Sequence, residues 1–217
     1  MNRKMTTLLF DFDGTLVDTN ELILSSFTQT LDFFFPGVYQ REEIITFNGP
    51  PLYETFTKID PERADEMVSH YRTHNWENHD LLVKEFTGVF ETIKTLSESG
   101  YKLAIVTTKK RDIVKKGLAL TKLDQFFDVV VTLDDVEKAK PDPEPVFTAL
   151  KLLGSTPEES IMVGDNYHDI LSGQRAETKT AGVAWSAKGA DYLNQFNPDY
   201  MLETMADLFT ILEDNHL

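Results

Sequence analysis

The sequence predicts an α/β fold: a doubly wound, mostly parallel sheet with a small all-helical cap inserted after the first strand. Three observations predict it. Five short apolar runs, rich in Val and Ile and apolar on both faces, have the pattern of strands in a sheet covered on both sides. Segments with apolar residues at helical spacing lie between them, and such alternation builds βαβ units. One long interval, 18–85, breaks the alternation and carries helical pattern only.

The first run, Leu8-Leu9-Phe10, leads directly into "DFDGT". Helical stretches follow: "NELILSSFTQTLDFFF", "PPLYETFTKI" and "PERADEMVSHYRTHNW". Asp18 with Glu21 makes a capping-box-like start for the first of them. This block, 18–85, reads as a cap domain, and 1–17 with 86–217 as the core domain. "VFETIKTLSESG" returns the chain to the sheet, with Gly100 ending its helix. The strand "YKLAIVT" (101–107) and the helix "DIVKKGLALTKL" (112–123) come next. After the strand "DVVVTL" (128–133), "PEPVFTALKLLG" (143–154) forms a helix, with Asp142 expected as N-cap and Pro143 at its first position. "SIMVGD" (160–165) and "KTAGVAW" (179–185) supply the last two strands of the pattern.

Composition narrows the function. A formal net charge of −15 argues against nucleic acid or an anionic membrane as partner. The absence of cysteine excludes disulfides, thiolate chemistry and cysteine-ligated metals, and fits a reducing cytosol. The apolar run near the N-terminus is too short for a signal peptide, and no stretch approaches a membrane span. The expectation is a soluble, cytoplasmic protein.

In an open α/β sheet, ligands bind at the carboxyl ends of the strands. Asp11 and Asp13 follow the first run, and residues i and i+2 of a strand point to the same side. Two carboxylates that close need a cation or a shared proton. Thr107, Thr108 and Lys109 follow the second run, Lys140 precedes Pro141, and Asp165 ends the fourth run with Asp169 four residues on. Such a cluster suits magnesium-assisted phosphoryl transfer. Asp11 can serve as nucleophile. Asp11, Asp165 and a backbone carbonyl suffice to hold Mg2+. Asp13 can donate a proton to the leaving oxygen and then act as base on water. Lys140 supplies a cation beside the nucleophile and Thr107 a neutral donor. Gly14 permits the tight turn after the pair.

In order and spacing, "DFDGT", "IVTT", "KPDPEP" and "GDNYHD" resemble the four motifs of the haloacid dehalogenase superfamily, and the helical block resembles its C1 cap. The resemblance implies a Rossmann-like core with Asp11 as nucleophile, Asp13 as acid/base, and Thr107 and Lys140 binding phosphate. It further implies a magnesium site of Asp11, the Asp13 carbonyl and Asp165, with Asp169 as direct or outer support. A finer resemblance covers nearly the whole chain. "NGPPL", "FFDVVVTLDDV", "IMVGDNYHDILSG" and "TKTAGVAW" are similar to the PpaX-type inorganic pyrophosphatases of Gram-positive bacteria, a group close to the phosphoglycolate phosphatases. This implies pyrophosphate hydrolysis, including pyrophosphate released when seryl-phosphorylated HPr is dephosphorylated by phosphorolysis. Together with its place in the cap, the resemblance marks the "NGPPL" turn, with Gly49 and Pro50, as a candidate specificity loop. Lys109, following the threonine pair at a strand end, is read from its position as a cation for the leaving phosphate. Where that family usually has Gly, this chain has Glu177.

Other readings compete. An EF-hand would want Gly where Leu16 stands and Glu where Leu22 stands. His70 and His74, at i and i+4 with His79 beyond, lack a supporting carboxylate motif and read as a solvated helical face rather than a zinc site. His168 receives no role. A phospho-aspartate signalling module would carry its aspartate on a later strand, and would leave the cap unexplained.

Overall fold

The computed structural model describes residues 4–214. Strand β1 (Thr7–Phe10) is fully buried: Leu8 and Phe10 join one apolar cluster and Leu9 another, the alternation a two-sided strand requires. The chain then passes through a two-residue strand β2 (Val17–Asp18) into helices α1 (Asn20–Phe34), α2 (Arg41–Ile44), α3 (Leu52–Ile59) and α4 (Ala64–Leu82). Strand β3 (Lys84–Glu85) brings it back, antiparallel to β2, so departure and return run side by side. Helix α5 (Val89–Glu98) precedes β4 (Lys102–Val106), α6 (Arg111–Thr121), β5 (Val129–Val131) and α7 (Glu144–Leu153). Strand β6 (Ser160–Gly164), α8 (Tyr167–Arg175), β7 (Lys179–Val183), α9 (Ala190–Asn194), β8 (Tyr200–Leu202) and α10 (Asp207–Asp214) complete the described chain.

The main sheet has six strands in the order β5-β4-β1-β6-β7-β8, all parallel. The chain winds outward from β1 in one direction and then, from β6, in the other. The crevice at that reversal is where ligands of such sheets bind. Register aligns the strand ends there: Phe10 lies opposite both Ile105 and Val163, and the Asp11 N–H donates to the Val163 carbonyl at 2.9 Å.

Helices α1 to α4 have an apolar cluster of their own, including Leu31, Phe56, Met67 and Tyr71. Phe27 sits at its centre, 5.5 Å from the Phe56 ring and 4.8 Å from Tyr71. The apolar faces of α1 and α4 meet there, a helical unit closed on itself rather than draped on the sheet.

Several local expectations need correction. Helix α1 begins after Thr19, not Asp18; Asp18 instead accepts from the Asn20 N–H at 3.2 Å and the Asn20 side chain at 3.0 Å. Helix α7 takes Pro143 as its N-cap, one residue later than expected, while Asp142 accepts from the Glu144 N–H at 3.0 Å. The strands β2 and β3 lie at the edges of an interval read as purely helical, and β8 lies outside the five apolar runs. His79 is fully buried rather than solvated, because α4 turns that side toward α6, where Gly117 has no side chain to obstruct it. Among the described residues, no cluster with metal-ligand geometry includes a histidine.

Candidate active site

Strand ends deliver the acidic residues. Asp11 follows β1 and Asp165 follows β6, while Asp169 lies in the first turn of α8. Each offers an oxygen within 4.8 Å of the others, and all three are buried. The Asn166 N–H donates to Asp169 Oδ2 at 3.0 Å in a capping box, which fixes the latter carboxylate. Gly14 is required where it stands: its φ is +72°, and a Cβ there would lie 2.3 Å from Asp165 Oδ2.

Lys140, joined to Pro141 by a cis peptide bond, reaches under this cluster. Its Nζ lies 2.9 Å from Asp11 Oδ1, 2.6 Å from Asp169 Oδ1 and 2.7 Å from the Val106 carbonyl. Three contacts match its three N–H donors. Burial alone would favour the neutral amine, but the Asp11 and Asp169 carboxylates outweigh it and hold the ammonium above its ordinary pKa. Asp11 moves the other way. Burial pushes its carboxyl up to about 7, the Asp169 charge adding to this and Lys140 opposing it. Burial, then the charges of Asp11 and Asp169, raise Asp165 as well.

Three buried carboxylates against one ammonium leave an excess of negative charge that a low-dielectric site does not tolerate unaided. The donor set is oxygen only, compact and anionic. That fits a hard divalent cation.

Asp13 stands apart from this triad. Its Oδ1 accepts from Thr19 Oγ1 and from Lys109 Nζ, each at 2.5 Å. Lys109, expected at a leaving phosphate, is therefore engaged by Asp13. Thr107 is buried, and its hydroxyl accepts from the Lys109 N–H at 3.1 Å. Thr108 donates to the Gly49 carbonyl at 3.3 Å. A cavity of about 30 Å3 lies among Asp11, Asp13, Gly49, Thr108, Lys140 and Asp165. Pro50 lines a larger cavity of about 300 Å3 on the cap side, bounded also by Asp13, Lys109 and Tyr71.

Roles for Asn166 and Lys188, and the backbone contacts of the turn that carries Gly49, escaped the sequence reading. Asn48 and Gly49 close the small cavity from the cap side. The Asn48 carbonyl accepts from Asn166 Nδ2 at 3.1 Å and from Lys188 Nζ at 2.9 Å. His168 Nδ1 lies 3.1 Å from Asn166 Oδ1. Burial, then the charges of Lys140, Lys188 and Lys58, bring its pKa down to about 3, so the ring is neutral and its Nδ1–H donates to the amide oxygen. That donation turns Asn166 Nδ2 toward Asn48. Lys188 follows the fifth apolar run, and extending the strand-end reading past Trp185 finds it.

The model of the haloacid dehalogenase-like hydrolases matches residues 8–183. The chain belongs to that family. It is 58% identical to the pyrophosphatase PpaX of Bacillus velezensis over 210 residues, covering 97% of each chain. It is 59% identical over 208 residues to the PpaX of Bacillus pumilus, covering 96% of each. A haloacid dehalogenase-like family hydrolase from Streptococcus pneumoniae superposes with a TM-score of 0.85 at 25% identity, covering 95% of this chain and 98% of that one. As a haloacid dehalogenase-like hydrolase, the chain is an enzyme, a phosphohydrolase. No helix among its described residues is long and apolar enough to cross a membrane.

Proposed function

We propose that this phosphohydrolase splits inorganic pyrophosphate into two phosphates in the cytoplasm, through a phosphoryl group carried on Asp11. The observation that carries the reading is similarity over nearly the full length of both chains to proteins named pyrophosphatase, at 58% and 59% identity. Pyrophosphate released when seryl-phosphorylated HPr is dephosphorylated by phosphorolysis is one supply this reading includes.

An Asp11 carboxylate oxygen attacks one phosphorus in line, and the bond from that phosphorus to the bridging oxygen breaks. The departing phosphate takes a proton from Asp13. Water then attacks the phosphorus held on Asp11, giving its proton to Asp13 and freeing Asp11 and the second phosphate. Both cationic and neutral donors on Asp13 meet the same oxygen, Oδ1, which leaves Oδ2 to carry the proton. Lys140, tied at three points, stays fixed beside the nucleophile while charge moves. Thr107 and Thr108 at the end of β4 bind the transferred phosphoryl oxygens. Asp11, Asp165 and Asp169, with the Asp13 carbonyl, would hold the Mg2+ this reading calls for, which would supply neutralisation of charge on the phosphoryl oxygens.

The test compares kcat/KM for pyrophosphate and 2-phosphoglycolate, with magnesium and with chelator. Pyrophosphate is expected to be the better substrate and chelation to stop both reactions. A preference for 2-phosphoglycolate overturns the substrate, not the phosphohydrolase.

A further inference from the structure

Lys140, Lys109 and Lys188 stand near the site, and their hydrogen bonds differ in a way that bears on substrate choice. Lys140 has all three donors engaged within the core. Lys109 is paired with Asp13. Lys188, in the loop between β7 and α9, has one hydrogen-bond acceptor, the Asn48 carbonyl at 2.9 Å. The Tyr192 ring centroid lies 5.2 Å from its Nζ. Among the described residues, no carboxylate lies within 4.0 Å of it. A half-buried ammonium held by one neutral oxygen and a ring has no carboxylate in direct contact, and the Asp165 and Asp169 charges reach it only from beyond that distance.

Its position is next to the chemistry. Lys188 lines a cavity of about 230 Å3 with Asn48, Asp165 and Asn166, and the same three residues line the small cavity over Asp11. The loop leaves the carboxyl end of β7, the end of the sheet at which Asp11 and Asp165 stand. Burial lowers the affinity of Lys188 for its proton, and the Asp165 and Asp169 charges oppose that.

We infer that Lys188 is the specificity-determining cation for the second phosphoryl group of a diphosphate substrate, and that the Asn48 carbonyl holds its place until substrate arrives. The exchange leaves nothing orphaned, because the Asn48 carbonyl keeps the Asn166 amide donor at 3.1 Å. A phosphomonoester with an uncharged leaving group has no anion to offer Lys188 and gains nothing from the exchange. The activity side of this inference rests on the pyrophosphatase reading; its binding side does not.

The test uses Lys188→Met and Lys188→Arg, with melting temperatures checked first, in magnesium. Two quantities are read: kcat/KM for pyrophosphate and for p-nitrophenyl phosphate, and calorimetric Kd for methylenediphosphonate and for methylphosphonate. Lys188→Met is expected to lose about 10- to 100-fold more on pyrophosphate than on p-nitrophenyl phosphate, the scale of a hydrogen bond to a charged group. The affinity advantage of the diphosphonate over the monophosphonate should shrink by a similar factor, and Lys188→Arg should restore most of both. Equal losses on the two substrates, or an undiminished diphosphonate advantage, overturn the inference. If wild type ignores pyrophosphate yet its diphosphonate advantage disappears in Lys188→Met, the pyrophosphatase reading fails and the role of Lys188 stands.

Discussion

Beneath the small cavity, the Lys140 ammonium spends its three donors on Asp11, Asp169 and the Val106 carbonyl; above it, the Asn48–Gly49 turn is held by donors that reach only its backbone carbonyls. The floor is built of charge-assisted bonds between buried groups, about twice as strong as neutral ones. The roof hangs on Thr108, Asn166 and Lys188, and only the last of these is charged. Neutral bonds of that kind contribute roughly 0.5–1.5 kcal/mol each, because water or a ligand can replace them. The difference separates two tasks. On the proposed mechanism, a floor that does not move would keep Asp11 aligned through both chemical steps. A roof whose bonds are exchangeable admits substrate and then judges it.

The largest expected effect breaks the floor. Asp11→Asn keeps the shape of the side chain and removes the nucleophile, so turnover of pyrophosphate and of p-nitrophenyl phosphate should fall to background while circular dichroism is unchanged. Stability should respond in the opposite sense. An acid whose folded pKa lies near 7, against an ordinary 3.8, binds its proton more tightly in the folded state. Its ionisation therefore destabilises the metal-free fold increasingly as pH rises through that window. Metal-free Asp11→Asn should gain on wild type in urea unfolding between pH 4 and about 7, and divalent cation should close the gap by stabilising wild type. Residual turnover in the variant would move the nucleophile away from Asp11.

A smaller effect is expected at the roof. Gly49 has φ +125°, and a Cβ there would stand 2.7 Å from Asn166 Nδ2 and 2.9 Å from His168 Nδ1. Gly49→Ala must shift the turn and release its carbonyls. Strain of this type costs about 1–3 kcal/mol, which sets a loss in kcat/KM of roughly tenfold or more. Melting temperature should fall with it, by roughly 2–4 °C for each kcal/mol of that strain. If kcat/KM survives intact, the roof does not need its observed position and the contrast with the floor collapses.

The same contrast governs what could be read from the chain. Asp11, Thr107 and Asp165 announce themselves, because each stands at the end of a short apolar run and a strand end is a place the sequence marks. Roof contacts are made by the carbonyls of Asn48 and Gly49, which every residue possesses and no pattern distinguishes. Lys109 was legible as a cation at a strand end, but its partner was not: pairing with Asp13 depends on the turn that brings Thr19 and Lys109 to one oxygen. His79 misled for a related reason. Period marks which residues share a helix face, while only the packing of α4 against α6 decides that this face is covered. Strand β8 has three residues, of which only Leu202 is buried, too little for any periodicity to register.

The smallest expected effect lies away from both floor and roof, at the turn after α8, and checks that stability and activity separate. Glu177 is exposed and adopts φ +62°, in the left-handed region where a Cβ crowds the backbone by about 1–2 kcal/mol. Glycine removes that strain and adds unfolded-state entropy worth roughly 0.5–1 kcal/mol, so Glu177→Gly should gain at most about 1 kcal/mol. For a chain of this size that is a rise in melting temperature of roughly 2–4 °C. The substitution touches neither Asp11 nor the Asn48–Gly49 turn, so kcat/KM should stay at the wild-type value. An unchanged or lowered melting temperature would mean that the Glu177 side chain contributes contacts that offset its strained backbone. A changed kcat/KM would carry a further consequence: the turn would communicate with Asp169 through α8, and the floor would extend well beyond the residues that touch its charges.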